Sequence, residues 1–210
     1  EEKKPKAEEK PAVKLPANPP SVKARVDLCR VVRELNQGSA LTDAMREECI
    51  GLYSQARTTE ARNVDACVGI GQLLIEKDCP RAIQEMAKFP DPEGFVRGGK
   101  HGKPNFDDSF CHVEIARTII KHGVDTKDKA LLECEQLEKS LCIAGKVMGW
   151  DGIDKWVEIL DNRGKWDMLK RIYMAVNEDR EDLDPQMVEG FFTAKGWDPV
   201  IVPRRYEVHG

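Results

Sequence analysis

Apolar positions recur along most of this chain at intervals of three and four, the spacing that lines one face of an α-helix. The longest such run is residues 126–150, with Ala130, Leu131, Cys134, Leu137, Leu141, Gly145 and Met148 on one stripe. Thr126 offers a hydroxyl that can cap a helix start. Gly149 supplies the left-handed residue that ends one, and Trp150 packs after it. A single helix over this run would be roughly 33 Å long. It is expected to act as the central strut against which shorter helices pack.

The same periodicity places the other helices. Val22, Val26, Leu28, Val32 and Leu35 mark a first helix ending near Gly38. Thr42 or Asp43 opens a second, through Cys49, Tyr53 and Ala56, and a third runs from about Thr59 to Lys77. Asp78 caps a short fourth with Pro80 in its first turn, where a missing N–H costs nothing. A fifth, Phe110 to His122, is capped by Asp108 or Ser109 and closed by Gly123. After the strut, Ile153, Trp156, Val157 and Leu160 define a seventh over 151–162, and Trp166, Leu169, Ile172 and Tyr173 an eighth over 165–177. Asp184-Pro185 starts a ninth, carrying Met187, Val188, Phe191 and Phe192 and ended by Gly196. The expected fold class is all-α, an irregular multi-helix bundle of about eight or nine helices with extended N- and C-terminal arms.

Five stretches follow from this pattern. Residues 1–21 are rich in Pro, Lys and Glu, and five prolines forbid a continuous helix, so an extended polyproline-like arm is expected. Residues 22–88 form an N-terminal helical half and 109–196 a C-terminal one. Between them, 89–108 holds four glycines and three prolines and exceeds the usual connection of a compact domain. Residues 197–210, with Val200, Ile201 and Val202 between prolines, read as an extended C-terminal arm. Two helix ends echo each other, Ala144 to Asp151 and Phe191 to Asp198, each closing on Gly-Trp-Asp. Independent helix-terminating glycines explain the echo without a repeat.

Composition adds limits rather than a chemistry. A net charge of −4, with acids and bases interleaved, demands neither nucleic acid nor an anionic membrane. No stretch approaches the 18 to 20 apolar residues of a membrane span. Seven cysteines, an odd number without CxxC pairs, point to reduced thiols rather than a secreted disulfide framework. The chain opens at Glu1 rather than methionine, which fits either removal of a targeting segment or a fragment of a longer chain. An organelle matrix or stroma, plastid or mitochondrial and peripheral to a membrane complex, is expected, with the cytoplasm as the alternative.

The candidate motifs fail on context. Gly94 to Lys100 has the glycine and lysine spacing of a phosphate-binding loop, but His101 stands where the magnesium-binding hydroxyl belongs. Prolines flank it where a strand and a helix are required. Gly69 and Gly71 lack the third glycine of a dinucleotide fingerprint, and are expected to allow close helix approach. Cys111 and His112 are adjacent and point about 100° apart on a helix, so one ion cannot easily take both. His112 meeting Cys134 or Cys142, or Cys111 meeting His122 or His101, has no supporting signature. No catalytic residue, metal ligand or cofactor is assigned. Lys165, Trp166, Lys170, Arg171 and Tyr173, with Arg204, Arg205 and Tyr206, form the patch an RNA-binding module would use.

Extended arms around a compact body bury much partner surface per residue. The expected function is therefore a non-catalytic accessory, linker or assembly subunit that binds other protein subunits of a large complex, such as an organellar respiratory or photosynthetic assembly. Its partner-binding residues are expected at Lys14, Leu15 and Pro16, at Phe95, Arg97 and Lys100, and at Ile201, Arg204 and Tyr206. Two alternatives are an enzyme or ligand-binding protein using 89–108 as a lid, with a pocket near His101, His112 or Cys111, and a helical RNA-binding module. Nucleic acid is the less favoured partner.

Overall fold

The computed structural model describes residues 21–35, 41–91 and 106–178, together with 184, 186, 188, 190 and 192. Among them the chain is helical and contains no strand. The N-terminal helices are α1 (Val22–Leu35), α2 (Asp43–Thr59), α3 (Val64–Leu74) and α4 (Cys79–Ala87). Then come α5 (Phe106–Thr126), α6 (Glu135–Met148), α7 (Asp154–Asp161) and α8 (Trp166–Val176). Single 3-10 turns at Leu131–Glu133 and Trp150–Ile153 lead into α6 and α7. Farther on, Val188 N donates to Asp184 O at 3.1 Å, as the first turn of the expected ninth helix requires.

Side chains satisfy orphan amides at the starts of α2, α3 and α4, whereas α6, α7 and α8 open without a side-chain cap. Thr42 Oγ1 accepts from Met45 N at 3.2 Å, and Asp78 Oδ1 from Arg81 N at 3.1 Å. α3 starts later than periodicity predicts, because Asn63 Oδ1 takes Ala66 N at 2.9 Å and a turn at 60–63 separates it from α2.

The central strut is the main correction. Residues 126–150 are not one helix. Thr126 ends α5 instead of starting a helix, its hydroxyl donating back to His122 O at 2.7 Å. Lys127 takes a left-handed φ of 58°, while Asp128 N donates to Gly123 O and Lys127 N to Val124 O. That pair of bonds is a Schellman ending, with lysine where glycine is usual. Asp128 Oδ1 then accepts from Leu131 N, and Cys134 is extended (ψ 148°) before α6 begins. α5 is correspondingly longer than predicted at 21 residues. It begins at Phe106, so 106–108 belong to a helix and not to the irregular segment. Gly123 lies inside α5, where a Cβ would meet Leu132 Cδ2 at 2.7 Å.

One continuous buried cluster draws on helices from both sides of the 89–108 segment. α3 is the innermost helix of the N-terminal side, with Ala66 through Gly71 buried. Its glycines do allow close approach: a Cβ on Gly69 would sit 2.5 Å from Tyr53 of α2, and one on Gly71 2.4 Å from Met86 of α4. α3 packs on α5, α5 on α6, and α6 on α8. Gly149 ends α6 with φ 76°, as expected, and its N–H donates to Gly145 O at 2.7 Å. Trp150 then meets Tyr173 edge to face with centroids 4.9 Å apart, and Phe192 closes the trio at 5.7 Å from Tyr173.

Candidate functional site

The nine residues expected to hold partners, Lys14, Leu15, Pro16, Phe95, Arg97, Lys100, Ile201, Arg204 and Tyr206, lie outside the described residues, as do His101 and Arg205. The helical part of the basic patch is described. Arg171 Nε and Nη2 grip Glu138 at 2.8 and 2.9 Å, and that carboxylate raises the Arg171 pKa. Lys165 is buried against Glu133, and Lys170 lies 3.2 Å from Asp167. Each cation is already paired with a carboxylate, so this face is locally balanced and not a free basic stripe.

Cysteine and histidine chemistry gathers where α3, α5 and α6 meet. His112 Nδ1 and Ser140 Oγ share a hydrogen bond of 3.2 Å, and Gln136 Nε2 donates to the same oxygen at 3.0 Å. Phe89 meets the imidazole edge to face at 5.7 Å. Among the described residues His112 Nε2 has no partner. Burial, reinforced by the Lys139 charge and opposed by Asp91, lowers the His112 pKa to about 4, so the ring is neutral at pH 7. Nearby, a side-chain hydrogen bond with Cys111 holds the Cys67 thiol below its ordinary range against the opposing effect of burial. Cys67 Sγ also donates to Met86 O at 3.6 Å. Cys67, Cys111, His112 and Ser140 are all sealed from solvent. The group ties helices together. The structure thus places Cys111 with Cys67 and His112 with Ser140, not in the His122, Cys134 or Cys142 pairings considered from sequence. Among the described residues no three metal-ligating side chains converge.

A surface feature of a different kind lies between α5 and α7. The two helices line a groove of about 410 Å³. α5 contributes Arg117, Ile120, Lys121, Val124 and Asp125, spaced at i, i+3, i+4, i+7 and i+8. From α7 and the turn after it come Trp156, Ile159, Asn162 and Arg163. Ile120 is buried at the base, and half-buried Val124, Trp156 and Ile159 form the walls. Arg117, Lys121 and Arg163 are exposed along the rim. A volume in the range of ligand clefts, apolar inside with charge at its edge, is the form of a recognition site.

The sequence held the parts of this groove but not the groove. Ile120 and Trp156 occur at helical spacing and read as core positions. In the fold both Trp156 and Ile159 line the groove and stay half covered. The one available signal was the alternation of cations with apolar residues at Arg117, Ile120, Lys121 and Val124. Comparison of the chain with protein-family models, curated proteins and solved structures finds no match.

Proposed function

We propose that this chain is a non-catalytic accessory subunit that binds neighbouring proteins within a larger assembly. The carrying observation is the α5–α7 groove, whose half-buried Trp156 and Ile159 leave apolar surface for a partner to cover. Aromatic residues in such positions dominate interface energetics. The seven free thiols suit a reducing compartment, an organelle matrix, a stroma or the cytoplasm. No described helix is long and apolar enough to cross a membrane.

The test is native mass in a gentle extract from the chain's own source, comparing wild type with Ile159→Glu. Wild type is expected to migrate with a complex far heavier than its own 23.7 kDa, and the variant to be released while keeping its helical circular dichroism. Wild type migrating as a lone chain, or a variant that stays in the complex, would overturn the proposal.

A further inference from the structure

We infer that the α5–α7 groove receives an acidic amphipathic helix of a partner protein; this rests on the subunit reading above and names the partner element it requires. The groove has the length and spacing of a helix seat. The α5 face from Arg117 to Asp125 runs about 12 Å, and the opposing stretch from Trp156 to Arg163 about 10 Å. Two helices side by side offer ridges at three- and four-residue spacing, and a third helix fills the space between them. Such a helix would seat apolar anchors at i, i+3, i+4 and i+7 against Ile120, Val124, Trp156 and Ile159.

The charge of the rim selects an acidic occupant. The rim carries Arg117, Lys121 and Arg163 against a single carboxylate, Asp125. Among the described residues Lys121 and Arg163 form no ion pair, and Arg117 has only Glu114, its own helix neighbour, at 3.5 Å. Elsewhere some cations are matched, as with Arg57 on Glu85, Lys146 on Glu178 and Arg171 on Glu138, while the three rim cations stand together around one apolar groove. A helix flanked by Glu or Asp would complete this rim, whereas a basic helix would meet like charge. A second copy apposed groove to groove would set cation against cation, which disfavours a symmetric dimer through this face.

The test uses the full chain and a labelled probe peptide of about 20 residues, long enough to hold helical structure. The probe carries leucines at i, i+3, i+4 and i+7 flanked by glutamates, and its twin has every glutamate replaced by lysine. The acidic probe is expected to bind about tenfold tighter than the twin at low salt, with the gap closing as salt rises. Amide shifts should map to Arg117, Lys121, Val124, Trp156, Ile159 and Arg163. Charge reversal in K121E/R163E should invert the preference, and Trp156→Ala should weaken both probes with helix content unchanged. Equal binding of the twin, or shifts elsewhere, would overturn the assignment. So would binding to anionic phospholipid vesicles but not to the peptide, or self-association through this face that K121E/R163E leaves intact. If Ile159→Glu leaves its native complex while the acidic probe fails to bind, the subunit reading stands and the acidic-helix assignment falls. If Ile159→Glu stays in the complex, the subunit reading itself falls.

Discussion

Gly69→Ala isolates what the close approach of α3 to α2 is worth. A Cβ at this position would lie 2.5 Å from Tyr53 Cε2 and 2.6 Å from Cζ. Carbon atoms rest at about 3.5–4.0 Å, so the ring must retreat by about 1 Å. Tyr53 is only 2% exposed, and its ring is rigid, so that space has to come from its neighbours. Overpacking of this kind costs about 1–3 kcal/mol. The helix itself gains about 1 kcal/mol when alanine replaces glycine. The clash offsets or exceeds that gain, and the variant should lose up to about 2 kcal/mol, a Tm drop of up to about 8 °C for a chain of this size. Gly51 on α2 is the internal control, because a Cβ there meets nothing within 4 Å. Gly51→Ala should instead gain about 0.5–1 kcal/mol. Urea unfolding at 25 °C resolves differences of this size when slopes agree. In a Tyr53→Leu background, Gly69→Ala should cost at least about 0.5 kcal/mol less, because the obstructing ring is gone. A Gly69→Ala variant as stable as Gly51→Ala, or costs that simply add, would falsify the packing argument.

Other outcomes follow from the same geometry. The folded His112 pKa of about 4 lies below its ordinary 6.5, so the unfolded chain binds more protons between these values. Stability should be full above pH 6.5 and fall by roughly 3 kcal/mol towards pH 4, with His112→Gln flattening that slope in urea titrations. Lys127→Gly should gain about 0.5–1 kcal/mol by relieving the left-handed φ of 58°; a loss in thermal melts would reject the strain. Alanine at Lys165, Lys170 and Arg171 should leave affinity for a polyanion unchanged, since their charges are already paired; a drop beyond threefold in filter binding would revive the RNA reading. Brief alkylation of the native chain should modify Cys79, Cys134 and Cys142 alone, and mass spectrometry finding early label on Cys67 or Cys111 would show that their site opens.

Much of the fold was legible because its causes are local. Thr42 and Asp78 cap their helices in this structure as their side chains promise in the sequence, and Gly149 ends α6 as only a residue free to take positive φ readily can. Periodicity likewise found most of the buried faces of α1, α2, α7 and α8. The strut failed for an equally definite reason. Its break lies at Lys127, a residue with no preference for the left-handed region, and is held by bonds to Gly123 and Val124 across the turn. An unbroken apolar stripe cannot register a reversal that backbone hydrogen bonds impose between two of its repeats.

Sequence alone determined the all-α class, the starts of α1, α2, α4 and α8 and the need for close approach at Gly69 and Gly71. Tertiary structure decided which apolar positions remain uncovered. Trp156 and Ile159 satisfy the same helical spacing as fully buried Leu160 and Ile153. They differ because they line the groove between α5 and α7, and what covers such positions depends on contacts between residues far apart in the chain. The pairing of Lys165 with Glu133, and the exposure of Lys121 and Arg163 beside an apolar wall, have the same origin. Charge is written in the sequence, but whether it is neutralised depends on what the fold brings beside it.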